Sequence, residues 1–485
     1  MVTELKPYPA YKDSGMPWLG QVPERWEVQR AKRILRCIDV RSLGGDEELL
    51  TVSSARGVIP RSTAAVTMFK AESYRGYKLC WPGDLVINSL WAWAGGLGVS
   101  RYHGIVSSAY SVYRPRVGYE AYSSFIHELV RSIPFQWELQ VRSKGIWISR
   151  LQLTDESFLN APIPIPPPTD QAAIVRYLDH ADRKVQHAIR ARQQLIKLLT
   201  EQKQAIIQRA VTRGLDPNVR LKPSGVSWLG DMPEHWTVVR LRHLLACPLT
   251  NGLFKKKDSY GSGVPLVNVT DIYQDDFTIV SSTLDLVAAS ADEVRTFRVQ
   301  PGDILFVRSS LKLEGTGQSA LVSKCDESTV FECHLVRARP NQLRVSSRFL
   351  TLFLNSPSAR SCLVAHANTV TMSTLPQGAM KSISVPVPPL CEQEAILAAV
   401  DRDTASVMKA IDAARGEIDL LREYRTCLIT DVVTGKLDVR DAAAYLPDEP
   451  EEQPEPLDEE PVAETSDLDA EESDGDHSED ESKDA

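Results

Sequence analysis

"SGMPWLGQVPERW" at residues 14–26 returns as "SGVSWLGDMPEHW" at 224–236, with Ser, Gly, Trp, Leu, Gly, Pro, Glu and Trp in register 210 residues later. A phrase written twice at that distance points to a duplicated module, and its surroundings extend the duplication. "WPGDLVINSL" (81–90) is echoed by "QPGDILFVRS" (300–309); each sets a Pro-Gly turn and an Asp before an apolar, β-favouring run, so matching strands are expected. "PIPPPTDQAAI" (164–174) is echoed by "PVPPLCEQEAI" (386–396), where a proline-rich extended stretch gives way to a helical pattern. At 485 residues the chain exceeds one compact core and suits a module repeated.

The strongest local signal is helical, over 169–213 and 391–435, with stops at Gly214 and Gly435. Steps of four and three through the first stretch give Ile174, Leu178, Ala181, Val185, Ala188, Arg192, Leu195, Leu199, Gln202 and Ile206. The same steps 222 residues on give Ile396, Val400, Asp403, Val407, Ala410, Ala414, Glu417, Leu421, Tyr424 and Leu428. Eight of ten are apolar in each row, and Ile189, Ile196, Ile411 and Ile418 widen the stripe, as in helices of a coiled coil. The first helix has nine Lys or Arg against four Asp or Glu, the second five against nine, so each complements the other better than itself. An antiparallel pairing with Arg192 near Asp412 and Lys203 near Asp401 is expected. Two modules at the ends of such a pair would be related by a pseudo-twofold axis, matching the pseudo-twofold of B-DNA half-sites.

The net charge of −9 conceals two regimes. Residues 446–485 hold 19 Asp or Glu against Lys483 alone, whereas residues 1–445 carry 54 Lys or Arg against 45 Asp or Glu. A positive body suits a polyanionic partner. The tail, poor in large apolar residues and self-repelling, is expected to be disordered, and reads either as a solubilising extension or as a DNA mimic. Eight cysteines without a Cys-x-x-Cys pair suggest neither a zinc site nor a disulfide framework. The apolar run at 85–99 is too short to span a bilayer, and a cytoplasmic protein without membrane contact is expected.

The duplicated W-L-G-x-x-P-x-x-W phrase (Trp18 to Trp26, Trp228 to Trp236), the P-x-P-P-x-x-[DE]-Q-x-x-I gate (Pro164 to Ile174, Pro386 to Ile396) and the V-T-x-x-L-D helix ends (Val211–Asp216, Val433–Asp438) together resemble the specificity subunit of type I restriction-modification enzymes. The resemblance runs to about residue 440; Asp170 stands where the family usually has Glu, keeping the charge. It implies an α+β chain of two globular α/β target-recognition domains joined by two long antiparallel coiled-coil helices. The domains then read 1–160 (first recognition domain), 161–223 (gate, first helix and linker), 224–383 (second recognition domain), 384–440 (gate and second helix) and 441–485 (acidic tail). It also implies double-stranded DNA as partner, two methyltransferase subunits docked on the helices, and restriction subunits reached through them. No cofactor is expected on this chain, with S-adenosylmethionine, ATP and Mg on the partner subunits.

Catalytic motifs are missing from the sequence: no N-P-P-[FY] segment for amino-methylation and no G-x-x-x-x-G-K-[ST] loop for triphosphate. "GTG" at 315–317 reads as a turn, and Cys325, Cys333 and His334 lack metal-ligand spacing. No catalytic or metal residue is therefore assigned. Base and phosphate contacts are expected from side chains with bidentate amide or guanidinium groups, basic heads and stacking rings. In the first module these are Asn88, Trp91, Trp93, Arg101 and Tyr102 in a Gly-rich loop, and Arg142, Lys144, Trp147 and Arg150 near the gate. In the second they are Lys255, Lys256 and Lys257, with Arg308, Lys312 and Gln318. The tryptophans of the repeated phrase are assigned to packing. Two other readings stay open: a stand-alone modification enzyme with an atypical donor site, and a coiled-coil scaffold without sequence specificity.

Overall fold

The computed structural model describes residues 5–447 apart from 55, 65–72, 146–150, 281–283 and 370–371. Trp147, Arg150 and the acidic tail from residue 448 lie outside the described residues. The described chain is α+β, mixing helices with mostly antiparallel sheets, and forms two compact units, one from residues up to 191 with those from 417 onward, the other from 192–416. Both divisions fall inside long helices, Pro168–Arg213 and Leu390–Val433, so each unit takes part of each helix.

In the first unit the main sheet runs Leu35–Ile38, Tyr110–Pro115, Leu85–Asn88, Leu97–Val99, every pair antiparallel. In the second, Thr250–Asn251, Leu335–Ala338, Ile304–Val307 and Ser319–Lys324 repeat that order, with Thr278–Val280 added in parallel at the far edge. Leu85–Asn88 and Ile304–Val307, the strands after the two Pro-Gly-Asp turns, are buried at every position because they are covered on both faces. Helix Ser123–Arg131 closes the first sheet with Phe125, Ile126, Leu129 and Val130 on one face, and Ser347–Leu354 closes the second with Phe349, Leu350 and Phe353.

The three duplicated motifs meet at one node in each unit. The residues that follow the Trp phrase form a strand that pairs with the proline stretch, Glu27–Arg30 with Pro162–Ile165 and Thr237–Arg240 with Ser384–Val387. Trp26 and Trp236 are fully buried there. Trp26 Nε1 donates to Asp170 Oδ2 at 3.3 Å, and Trp236 Nε1 to Glu392 Oε1 at 3.1 Å. Arg25 also pairs with Asp170, and His235 Nε2 lies 2.8 Å from Glu392. Both carboxylates sit in the first turn of a long helix, where the macrodipole favours negative charge. The following glutamines close the node alike: Gln171 Nε2 donates to Pro166 O at 2.7 Å and Gln393 Nε2 to Pro388 O at 2.9 Å. The helix ends arrive at the same place. A Cβ on Gly435 would come within 3.1 Å of the Trp26 ring, and one on Gly214 within 3.3 Å of the Trp236 ring; with φ of 78° and 73° both need glycine.

The helices occupy the expected residues, but their buried rows are displaced. In the second half of the first helix Lys203 and Ile207 are buried, whereas Gln202 is exposed and Leu195 is 41% exposed. In the second helix Thr404, Ile411 and Ile418 are buried in place of Asp403, Ala410 and Glu417. The buried rows still keep the seven-residue step, as at Thr404, Ile411 and Ile418, so the difference is one of phase: after Val185 and Val400 the inward neighbour lies four residues on, at Ile189 and Thr404, and not three. The expected ion pairs shift with it. Lys203 Nζ donates to Asp275 O at 2.7 Å and lies 3.6 Å from Met408 Sδ, while Asp401 accepts from Arg348 at 2.8 Å. Asp412 lies 4.0 Å from Arg415 of its own helix, and Arg192 is half-buried. In the first unit one pair between the helices joins Asp182 of the basic one to Arg425 of the acidic one, so net charge does not set that contact.

Candidate nucleic-acid interface

Each Pro-Gly-Asp turn anchors the strand that leads into a candidate loop. Asp84, 1% exposed, receives Arg114 through both oxygens at 2.8 and 2.7 Å, and its Oδ2 also accepts the Trp81 N–H at 2.9 Å. Asp303, equally buried, receives Arg339 at 2.6 and 2.7 Å and the Gln300 N–H at 2.9 Å. The bidentate fork is the geometry in which a buried carboxylate is best paired. It locks neighbouring strands together at the foot of the loops 89–96 and 308–318.

A second tie joins each loop to the segment before the proline gate. Leu153 N donates to Ser89 O at 2.9 Å, and Leu375 N to Arg308 O at 2.8 Å. In the first unit this brings the Trp91 and Trp93 loop beside the Lys144 segment, itself bridged to Gln152 by two 2.9 Å backbone bonds. Trp91 and Trp93 are half-buried and stacked, with centroids 5.9 Å apart and planes at 20°. A Cβ on Gly96 would lie 2.8 Å from Trp91 Cβ and 2.9 Å from its carbonyl oxygen, so a residue without a side chain lets the loop turn back this closely on Trp91. Lys144, Arg101 and Tyr102 are exposed. Arg101 also lies within electrostatic reach of Asp179 and His127. Arg142 is committed to Glu138 at 2.6 Å. Asn88 is a correction: it is 7% exposed, and its Oδ1 accepts the Leu90 N–H, because the last residue of a strand buried on both faces shapes the turn and is not presented to solvent.

In the second unit Arg308 and Gln318 are half-buried at the two ends of the loop, and Lys312 is exposed at its tip beside Leu311, which is 84% exposed. Lys255 is tied to Glu293 at 2.9 Å, Lys256 is exposed, and the side chain of Lys257 lies outside the described residues. These lysines lie ahead of Tyr260–Val267, a strand of a different sheet that also holds Asp285–Val287 and Val330–Phe331.

The loop's true neighbour escaped sequence reasoning. Ser309–Ser310 pairs with Ser373–Thr374, which pairs with Asn368–Thr369, a small sheet whose six residues are all polar. Asn368, Thr369 and Asn251 are exposed, and Gln377 Nε2 donates to Asn251 Oδ1 at 2.8 Å. The signal was available: shifting the first module's 142–150 by the gate offset of 222 lands on 364–372. Arg360 pins this loop from behind, donating to Thr316 O at 2.8 Å and Glu314 O at 2.5 Å. Burial lowers its pKa to about 10, which still leaves it charged at neutral pH. In the first unit His127 is the strut: its Nδ1 accepts the Val99 N–H at 3.1 Å, and burial, with Arg131 and Arg101, holds its pKa down at about 3. It is a neutral acceptor, unsuited to act as a base near neutrality.

Among the described residues, no three His, Cys, Asp or Glu are grouped to hold a metal ion, and no helix is long and apolar enough to cross a membrane. The arrangement can offer polar edges, stacking rings and exposed cations on two loops with the same anchoring and different side chains.

Residues 233–413 match the model of the type I restriction modification DNA specificity domain. The chain is similar to the type I restriction enzyme EcoKI specificity subunit of Escherichia coli K12, 25% identical over 284 residues covering 58% of each chain. It is likewise similar to the StySPI specificity subunit of Salmonella potsdam, 24% identical over 280 residues, again 58% of each. The match thus spans just under three fifths of the length of these relatives. In fold it is similar to a chain solved in work on complex assembly and conformational transition of the type I R-M system, with a TM-score of 0.55 and 18% identity over 86% of this chain and 99% of that one. The domain match falls in the second module and the head of its long helix, the internal duplication carries the same anchors into the first, and the chain is thus similar to specificity subunits of type I restriction-modification systems.

Proposed function

We propose that this chain is the sequence-specific DNA-recognition subunit of a type I restriction-modification complex, reading a bipartite, asymmetric target with residues 1–160 and 224–383. The gates and helices within 161–223 and 384–440 carry two methyltransferase subunits and, through them, the restriction subunits. Methyl transfer and translocation belong to those partners, with S-adenosylmethionine, ATP and Mg on them; this chain contributes sequence choice alone.

One observation carries the reading. The same loop, footed on the same Asp–Arg fork and tied by the same leucine N–H, occurs twice but is filled with Trp91 and Trp93 in one copy and Leu311 and Lys312 in the other. Shared anchoring with divergent tips is what two readers of different half-sites require. The test is selection of bound sequences from a random DNA pool by the chain assembled with its methyltransferase partners. Two separated motifs are expected. A pool without any motif supports the scaffold reading, and methyl transfer by the chain alone overturns the non-catalytic one.

A further inference from the structure

The two copies differ at one end of their main sheets. In the first unit Asp155 closes an inward network, its Oδ1 accepting from Ser111 Oγ and Tyr113 OH, both at 2.6 Å. The gate offset of 222 sets Gln377 at the position of Asp155. Strand register sets Val336 and Ala338 at the positions of Ser111 and Tyr113, because they pair with Phe306 and Ile304 as those two pair with Ile87 and Leu85. Apolar side chains give Gln377 nothing to bond there. Its Nε2 donates instead to Oδ1 of the exposed Asn251, at 2.8 Å.

That bond leaves Asn251 Nδ2 as a donor and Gln377 Oε1 as an acceptor, neither with a partner among the described residues. Arg308 stands close by. Its N donates to His334 O at 2.7 Å and Gly252 N donates to Leu335 O at 3.1 Å, so the backbones of Arg308 and Asn251 flank one strand, roughly 10 Å apart. The half-buried Arg308 guanidinium has no carboxylate partner among the described residues, and a cation partly out of water without a counter-charge keeps its capacity for an anionic or acceptor-rich ligand. Ser89, tied to Leu153 as Arg308 is to Leu375, holds the same position in the first unit and is buried.

The major-groove edge of adenine presents N7 as acceptor and the N6 amino group as donor, the complement of a donor and an acceptor held together. Guanine presents two acceptors, so its O6 would face Gln377 Oε1 unfavourably. We propose that Asn251 and Gln377 act as one unit that reads an adenine in the half-site of the second module, Asn251 Nδ2 donating to N7 and Gln377 Oε1 accepting from N6. The inference rests on the DNA-recognition reading and gives it a position and a base. A carboxylate at Asp155 has no donor to offer, so the first module lacks this reader.

Selection from a random DNA pool by the chain assembled with its methyltransferase partners tests it. The unaltered chain should select a motif containing an adenine that N251A no longer requires, with the other positions keeping their preference and discrimination at that one falling about tenfold. N251D keeps an acceptor for Gln377 Nε2 but replaces the free donor with a second acceptor, and should turn the position toward cytosine, whose N4 amino group donates. A third arm leaves the protein unaltered and so does not depend on a variant folding: 7-deazaadenine at that position lacks the N7 acceptor and should weaken binding about as much as N251A does. Unchanged selection by either variant, or indifference of the unaltered chain to 7-deazaadenine, would overturn this assignment while the selected motif upholds DNA recognition. A pool without any motif from the unaltered chain would overturn both.

Discussion

Trp236 donates its indole N–H to Glu392 at 3.1 Å across 156 residues of chain, joining the start of the second module to the first turn of its long helix. Trp26 and Asp170 make the same bond in the first module, so the two most recognisable sequence motifs are halves of one contact. The copies differ in burial: the Asp170 side chain is fully buried, whereas that of Glu392 is 27% exposed.

That difference sets unequal penalties. Asp170→Ala leaves a buried indole N–H without its acceptor and should cost about 2–3 kcal/mol; Glu392→Ala, where water can substitute, should cost about 1 kcal/mol. Urea unfolding of both variants checks the order, and a larger loss for Glu392→Ala would contradict it.

His127 predicts an acid limb. Its pKa falls from an ordinary 6.5 to about 3, so below 6.5 the unfolded chain takes up a proton that the fold refuses. Stability contributed by the neutral ring is therefore present above pH 6.5 and lost progressively as pH falls toward 3. Glu128, whose pKa burial raises, acts in the opposite direction, so the variant must be compared with the parent. His127→Asn keeps an acceptor for the Val99 N–H without titrating and should flatten the pH dependence of the unfolding midpoint over this window. An unchanged slope would show that the ring does not titrate as its surroundings require.

Arg360 holds two loop carbonyls from a half-buried position. Arg360→Ala should therefore loosen loop 308–318 and weaken specific DNA binding about tenfold, the worth of one or two hydrogen bonds from a charged group. Arg348→Ala removes an exposed pair with Asp401 and should leave binding unchanged. Equilibrium binding of both variants to the selected target checks the contrast.

Much of this architecture is legible in the sequence, because the duplicated phrase, turn and gate are local patterns with local causes. Trp26, Trp236, Asp84 and Asp303 sit where their motifs place them. The helical seam differs at Gln202 and Asp403, since apolar spacing does not say whether the inward step after Leu199 or Val400 is three residues or the four that bury Lys203 and Thr404. The loop partners were half legible. Trp91 and Lys144 stand out by residue type, and the Leu153–Ser89 tie sets their segments side by side; Asn368 and Thr369 carry no charge or ring to mark them, and only the module's own offset points there. Asn88 looked like a reader because residue type says nothing of which way a strand's last side chain turns.

The central claim, that each module reads its own half of a bipartite target, is tested most directly by exchanging residues 28–160 for the equivalent region of a relative and mapping methylated bases in DNA modified by the assembled complex. The new map should show one half of the target replaced and the other unaltered. Loss or change of both halves together would contradict separate reading by two modules.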